Sequence, residues 1–325
     1  MRPVTIAIVG ATGMVGRTFL KVLEEKNIAI KHLKCFASER SKGKEIIFKG
    51  TSYLSETITK GCFLDVDYAL FSIGGKQAKL YAPQAAEEGA IVIDNSSAFR
   101  FDQDVPLVVP EVNKDEAKKG NIIANPNCST IQSVIPMNIV LKEFGLKTID
   151  YVTYQSVSGS GYKGVNALET NNRDGFYPYN ISDTCIPEID VIHNDGNTFE
   201  EYKIIYETKK ILNNEDIVIS AFCMRVPIKQ GHGVFIKFET EKDPDLETLT
   251  TALKTENNIL IKDDLKNHIY PTTTSVIGTD YVEVGRLKKL SKSVYSMYVT
   301  ADNLRKGAAG NAVDILVSLL KERSL

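Results

Sequence analysis

The chain has 325 residues, 43% apolar and 25% charged, ordinary fractions for a globular protein long enough for two domains and a core without disulfides or metals. Lys and Arg total 39 against 41 Asp and Glu, and a net charge of −2 removes the electrostatic case for a nucleic-acid partner. No apolar run approaches the ~18 residues of a membrane span, and the first apolar stretch runs into a glycine loop rather than a cleavage site, so a cytoplasmic protein without membrane contact is expected.

Residues 4–9, VTIAIV, are short, β-branched and apolar, the pattern of a buried parallel strand. Val15, Phe19, Val22 and Leu23 then recur at helical spacing. Strand-like runs follow at 32–37, 68–73, 90–93, 107–109 and 121–124, with a helix predicted over 78–88. Strands alternating with helices predict βαβ units and a parallel sheet. After a predicted helix at 130–144 the texture changes. Runs at 148–157, 217–226, 233–240, 281–287 and 294–301 are strand-like, and one helix at 199–212 interrupts them. This second half reads as an α+β domain with a mixed or antiparallel sheet. Residues 175–180 and 193–198 read as loops. The segment 305–323 reads as a helix, apolar on most sides and hence buried, against the first domain.

Gly10-Ala11-Thr12-Gly13-Met14-Val15-Gly16 follows the first strand and opens the first helix. Glycines permit a tight turn and close approach of a pyrophosphate, and a helix N-terminus supplies open N–H groups. The spacing is GxxGxxG rather than GxGxxG, so a plain strand–helix turn is the competing reading. Past the next strand stands Ser38-Glu39-Arg40-Ser41-Lys42. Glu39 suits the ribose hydroxyl of NAD. The hydroxyls and cations around it suit the 2′-phosphate of NADP, which is the favoured cofactor, with a solvated loop as the alternative.

The five cysteines, at 35, 62, 128, 185 and 223, form no CxxC or Cys/His cluster, so neither a metal site nor a disulfide framework is expected. Cys128 alone has a telling context, Asn125-Pro126-Asn127-Cys128-Ser129-Thr130, where a strand gives way to a helix. A helix N-terminus favours a thiolate and can hold an oxyanion. Of four histidines, His232 is the best-placed base, in a glycine-flanked turn between two predicted strands. Residues 155–161, QSVSGSG, end another strand in small residues that either wrap a ligand or form a loop. Glu200 and Lys203 stand one helical turn apart, as an ordinary i,i+3 ion pair or as part of a site. Arg100 and Arg225 each follow a strand-like run, as anion clamps or surface charges.

Taken in order, GATGMVG, SERS, DNSSAFR, VPLVVPEVN, PNCSTIQ, YQSVSGSG, EEYK, ETKKI, RVPIKQGH and DNLRKGAAGNAV resemble the aspartate-semialdehyde dehydrogenase family almost end to end. The resemblance implies an α/β fold: a Rossmann-type dinucleotide-binding domain, 1–127 plus 305–325, and an α+β catalytic and dimerisation domain, 128–304, like that of glyceraldehyde-3-phosphate dehydrogenase. It implies reduction of L-4-aspartyl phosphate to L-aspartate 4-semialdehyde and inorganic phosphate with NADPH, through a cysteine thioester, on the route to lysine, threonine and methionine. By the resemblance, Cys128 is the nucleophile, His232 the acid–base residue and Gln155 the side chain orienting the acyl group. Arg225 would clamp the substrate carboxylate, Glu200 its amine, and Asn127 would also contact substrate. Arg100 and Lys203 would bind phosphate. Gly10, Thr12, Gly13, Met14, Val15, Ser38, Arg40, Ser41, Ser158, Gly159 and Asn303 would contact NADP. A homodimer or homotetramer is implied. Three features depart from the family pattern: a short 161–186 segment at the implied interface, Gly310 near the nicotinamide, and glycines at 231 and 233 that would make the turn around His232 flexible. The rival readings are an N-acetyl-glutamyl-phosphate reductase, disfavoured by the PNCST context and by Glu200, and a catalytically inactive dinucleotide-binding relative.

Overall fold

The computed structural model describes residues 3–322, and strands and helices are counted among these. Contacts divide the chain into two units, Met1–Pro126 with Ala308–Leu325, and Asn127–Gly307.

In the first unit β1 (Val4–Val9) buries all six side chains. The glycine loop leads into α1 (Met14–Glu25), which buries Phe19, Leu20, Val22 and Leu23. β2 (Ile30–Phe36) follows, then a hairpin of β3 (Glu45–Phe48) and β4 (Thr51–Leu54). Next come β5 (Tyr68–Phe71), α2 (Gly75–Glu87), β6 (Ile91–Asp94), the one-turn α3 (Pro110–Asn113) and β7 (Ile122–Ala124). Five strands form a parallel sheet in the order β2-β1-β5-β6-β7. The chain leaves β1 for β2 on one side and returns to β5 on the other. Crevices for ligands open where strand order reverses in this way.

The second unit begins with α4 (Cys128–Phe144) and β8 (Thr148–Gln155). β8 alternates strictly, turning Ile149, Tyr151, Thr153 and Gln155 to the buried face. α5 (Gly161–Glu169), α6 (Phe199–Leu212), β9 (Val218–Arg225), β10 (His232–Glu239), α7 (Leu246–Leu253), β11 (Ile259–Ile261), β12 (Val282–Ser291) and β13 (Val294–Ala301) complete it. Six strands form a mixed sheet, β11-β12-β13-β10-β8-β9. β8 and β9 run parallel and β10 opposes β8, so Gln155 and Arg225 end their strands where His232 begins its own. The last helix, α8 (Asn311–Glu322), contributes Ala312, Val313, Ile315, Leu316 and Leu319 to the apolar core of the first unit.

Several predicted elements change. The run at 107–109 is buried but makes a single bridge, Leu107 to Ala124, because Pro106 and Pro110 bracket it and remove donors. Residues 305–322 are helical as expected, but not α-helical throughout. Arg305–Gly310 forms a wide π-type turn, α8 starts only at Asn311, and Arg323 lies outside the described residues. The β3–β4 hairpin, α5, α7 and β11 were not foreseen. His232 opens a strand rather than sitting in a flexible turn. Its flanking glycines answer to crowding. A Cβ on Gly231 would lie 1.9 Å from the Thr273 carbonyl oxygen, and one on Gly233 would lie 1.9 Å from the Tyr298 hydroxyl.

Candidate active site

Cys128 is the first residue of α4 and is partly exposed. Asn127 caps the helix: its Oδ1 accepts from the N–H groups of Ser129 (2.9 Å) and Thr130 (3.4 Å). The cap is itself held. Asn127 Nδ2 donates to Glu200 Oε1 at 2.8 Å, and its backbone N–H donates to Glu207 Oε2 at 2.6 Å. On another side Gly307 backs the thiol, since a Cβ there would come within 2.9 Å of Cys128 Cβ.

The two carboxylates come from α6, seven residues apart and so on one face. A capping box of Thr198 and Glu201 starts this helix. Lys203 Nζ lies 2.7 Å from Glu200 and 3.0 Å from Asp190. The Glu200 and Lys203 side chains are only 5% and 10% exposed, so this is no solvated surface pair. Gln155 Nε2 donates to the same Glu200 oxygen at 2.9 Å. Burial pushes the Glu200 carboxyl up, but the Lys203 charge and the donors Lys203, Gln155 and Asn127 outweigh it and bring the pKa to about 2.

Past Gln155 the chain turns through Ser156 and Val157–Ser160. Arg225 Nη1 donates to the Ser156 carbonyl at 2.7 Å. His232 Nδ1 accepts the Ser156 backbone N–H at 3.1 Å. Asn303 Oδ1 lies 3.2 Å from Ser156 Oγ and accepts from Ser158 Oγ, also at 3.2 Å, and from the Gly231 N–H at 2.9 Å. The His232 Nε2 atom is buried and has no partner among the described residues. A Cβ on Gly159 would lie 2.9 Å from Arg225 Nη1 and 3.4 Å from this Nε2. The missing side chain thus leaves a corner that both groups face. Burial, then the Arg225 charge, lowers the His232 pKa to about 3 against smaller opposing pulls from Glu200 and from a hydrogen bond with the Gly231 backbone.

One network of the second unit therefore gathers Asn127, Cys128, Gln155, Ser158, Gly159, Glu200, Lys203, Arg225, His232 and Asn303. Such a set combines a thiol at a helix N-terminus, an imidazole, a guanidinium and an ammonium, which is what acyl transfer from an anionic substrate requires. Sequence reasoning missed Asp190, placed Ser156 only within the small-residue stretch, and read Glu207 only as continuing the Glu200–Lys203 pair. Glu207 carried a signal, its i+7 spacing from Glu200, but its partner is 80 residues away.

The remaining candidates lie in the first unit. Gly10 has φ +91° and its Cβ would strike the Ser72 carbonyl at 2.3 Å, so only glycine fits. Gly13 caps α1 with no side-chain bond, and no acidic residue stands in the first turn. That leaves the opening N–H groups of α1, at Met14 and Val15, to an anion, while Val15 packs its side chain against the core. A cavity of about 270 Å³ lies beside the loop, lined by Val9, Gly10, Ser38, Glu39, Gln77 and Tyr81 among others. Loop, open helix end and cavity together fit a dinucleotide. Thr12 is half-buried and its carbonyl accepts from Arg17 Nε at 3.4 Å. Arg40 is exposed, whereas Ser41 is buried, its carbonyl accepting from Ser55 Oγ at 2.6 Å. Arg100 is buried and its Nη2 donates to the Asn95 carbonyl at 2.8 Å. Among the described residues, no cluster of His, Cys, Asp or Glu is placed to hold a metal, and no helix is long and apolar enough to cross a membrane.

Residues 5–120 match the family model of a semialdehyde dehydrogenase NAD binding domain, and residues 138–306 that of a semialdehyde dehydrogenase dimerisation domain. The aspartate-semialdehyde dehydrogenase of Aquifex aeolicus is 46% identical over 333 residues, covering 98% of both chains. That of Bacillus subtilis is 40% identical over 340 residues, again with 98% of both chains covered. Among solved structures, aspartate semialdehyde dehydrogenase II of Vibrio cholerae in complex with ASA superposes with a TM-score of 0.94 at 38% identity, over 99% of each chain.

Proposed function

The chain belongs to the aspartate-semialdehyde dehydrogenase family, oxidoreductases of amino-acid biosynthesis, and from that premise we propose that it reduces L-4-aspartyl phosphate to L-aspartate 4-semialdehyde and phosphate through a thioester on Cys128. The observation that carries the reading is the corner left by Gly159, faced by Arg225 Nη1 and the unpartnered His232 Nε2. The ASA bound to the Vibrio cholerae relative supports the same substrate.

In this reading Arg225 takes the substrate carboxylate and Glu200, ionised, takes the amine, while Asn127 and Gln155 orient the acyl group. The Cys128 thiolate attacks the carbonyl carbon and phosphate leaves toward Arg100 and Lys203. His232 serves as the acid–base residue at the carbonyl oxygen. NADPH, when bound, supplies the hydride that reduces the thioester. Residues 1–127 with 305–325 are assigned to cofactor binding and 128–304 to catalysis and dimerisation, within a few residues of the two compact units. Gly10, Thr12, Gly13, Met14 and Val15 would hold the pyrophosphate of NADP, Ser38, Arg40 and Ser41 its 2′-phosphate, and Ser158, Gly159 and Asn303 would contact the rest. Glu39 in the cavity wall is the one feature that favours NAD. Phe222 and Phe235, exposed on the outer face of the mixed sheet, suit a homodimer covering that face.

The test is reduction of NADP, and separately NAD, by aspartate semialdehyde with and without phosphate. Phosphate-dependent turnover with NADP preferred is expected. A preference for N-acetyl-glutamate semialdehyde would move the chain to the rival reductase, and no turnover of either would make it an inactive relative.

A further inference from the structure

His232 meets its surroundings through two ring nitrogens with different neighbours. Nδ1 faces the Ser156 backbone N–H at 3.1 Å and the Ser156 hydroxyl at 3.0 Å. A hydroxyl can turn to donate or accept, but a backbone N–H only donates. Nδ1 must therefore offer its lone pair. A neutral imidazole with an accepting Nδ1 carries its single proton on Nε2. An imidazolium would point an N–H at the N–H of Ser156.

We propose that the Ser156 backbone N–H fixes His232 as the neutral ring protonated on Nε2, and that His232 acts as a hydrogen-bond donor to the reacting carbonyl oxygen rather than as the base that deprotonates Cys128. This deepens the thioester reading and rests on it. Of the two halves of an acid–base role, only the donating half is open to Nε2. The support is deep. Ser156 is buried, its hydroxyl lies between Nδ1 at 3.0 Å and Asn303 Oδ1 at 3.2 Å and gives its one proton to the ring nitrogen, and Asn303 is held by the Ser158 hydroxyl and by the N–H of Gly231, the residue before His232. The charged groups acting on the ring are Arg225 and Glu200. Arg225, held at 2.7 Å from the Ser156 carbonyl, opposes a second positive charge, and burial does the same.

The chemistry balances without a proton on Nδ1. The thiolate sulfur forms a bond to the carbonyl carbon, and the C=O π pair moves to oxygen, where Nε2–H donates to it. The pair returns, the bond from carbon to the phosphate oxygen breaks, and phosphate leaves with that bonding pair. His232 ends as it began. The thiol proton goes to solvent beforehand, with the α4 N-terminus stabilising the thiolate.

The test uses the full enzyme with ¹⁵N-labelled histidine, four side chains in all, the His232 signals being identified by their loss in His232→Asn. From about pH 6 to 8 one nitrogen, Nε2, is expected to be protonated and the other bare, with no titration. Ser156→Ala, which keeps the N–H, should give the same pattern. A doubly protonated ring, or a proton on Nδ1, overturns the assignment. Alkylation of Cys128 by iodoacetamide is then followed against pH in wild type and His232→Asn. The two profiles should agree within about two-fold. A loss of about ten-fold or more near pH 6–7 in the variant would reveal a thiolate–imidazolium pair and overturn the proposal. The spectrum reads the ring whether or not Cys128 is the nucleophile, so failure of the thioester reading gives a different result from failure of the tautomer assignment.

Discussion

The backbone N–H of Asn127 donates to the Glu207 carboxylate at 2.6 Å, in a place with no solvent exposure for Glu207. A buried carboxylate is costly unless its bonds are made, and this one is spent on the residue just before Cys128. Glu207→Ala should lower kcat by about 10-fold to 100-fold, as small misplacements of reacting groups do, with KM spared. Glu207→Gln keeps an acceptor and should recover most of the rate. Equal losses of folded protein in both variants, with kcat per folded molecule unchanged, would reduce Glu207 to a support of the fold.

Gly307 gives a second handle on the same thiol. The Cβ of Gly307→Ala would sit 2.9 Å from Cys128 Cβ, closer than packed carbons approach, so the nucleophile has to shift. Turnover should drop by about 10-fold or more while cofactor binding persists. A fully active variant would show that the π-type turn yields instead.

Lys203 is buried against Glu200 and Asp190. Lys203→Ala should raise the KM for phosphate in the oxidative direction. It should also cost about 3–5 kcal/mol of stability, because it strips a buried carboxylate of its charge partner. An exposed pair would cost only about 0–1 kcal/mol and leave phosphate kinetics alone. Denaturant midpoints and a phosphate titration on one preparation separate the two outcomes.

Much of this arrangement was legible from residues alone. VTIAIV followed by GATGMVG marks a strand, a turn and a helix end without further help, and β1 and α1 stand there. Asn127 before Ser129 and Thr130 is a cap signal, and it caps. The hairpin turn at Lys49-Gly50 was not legible, because its positive φ values, 48° and 74°, fall partly on a lysine, which carries no turn signal. What sequence spacing cannot carry is contact across sheet register and helix packing. The pairing of Gln155 with Arg225, and the N–H of Ser156 on His232, depend on β8, β9 and β10 lying side by side. The glycines around His232 looked like freedom and prove to be clearance, which only the neighbours Thr273 and Tyr298 reveal.

Acid should destabilise the protein through His232 and Glu200 in overlapping pH ranges. His232 falls from 6.5 to about 3 and Glu200 from 4.5 to about 2 on folding. Both are depressed, so the unfolded chain binds more protons in acid, and the stability they contribute is complete above about pH 6.5 and lost on acidification. The His232 share is lost first, between about 6.5 and 3, and the Glu200 share between about 4.5 and 2. Tm should therefore fall as pH drops from about 6.5 to 4.5, and His232→Asn should flatten that limb. An unchanged slope in the variant would place the acid sensitivity in other groups.

The proposed chemistry turns on a covalent step at Cys128, and mass spectrometry reads it directly. Enzyme mixed with aspartate semialdehyde and NADP, without phosphate, and quenched in acid should gain one aspartyl group on the Cys128 peptide. Added phosphate should discharge it. Cys185 is the exposed thiol and serves as the internal control, since exposure alone would favour it. Mass gain on Cys128 that disappears with phosphate is the predicted result; turnover with no acyl group on Cys128, or with the group on another residue, would contradict the thioester mechanism.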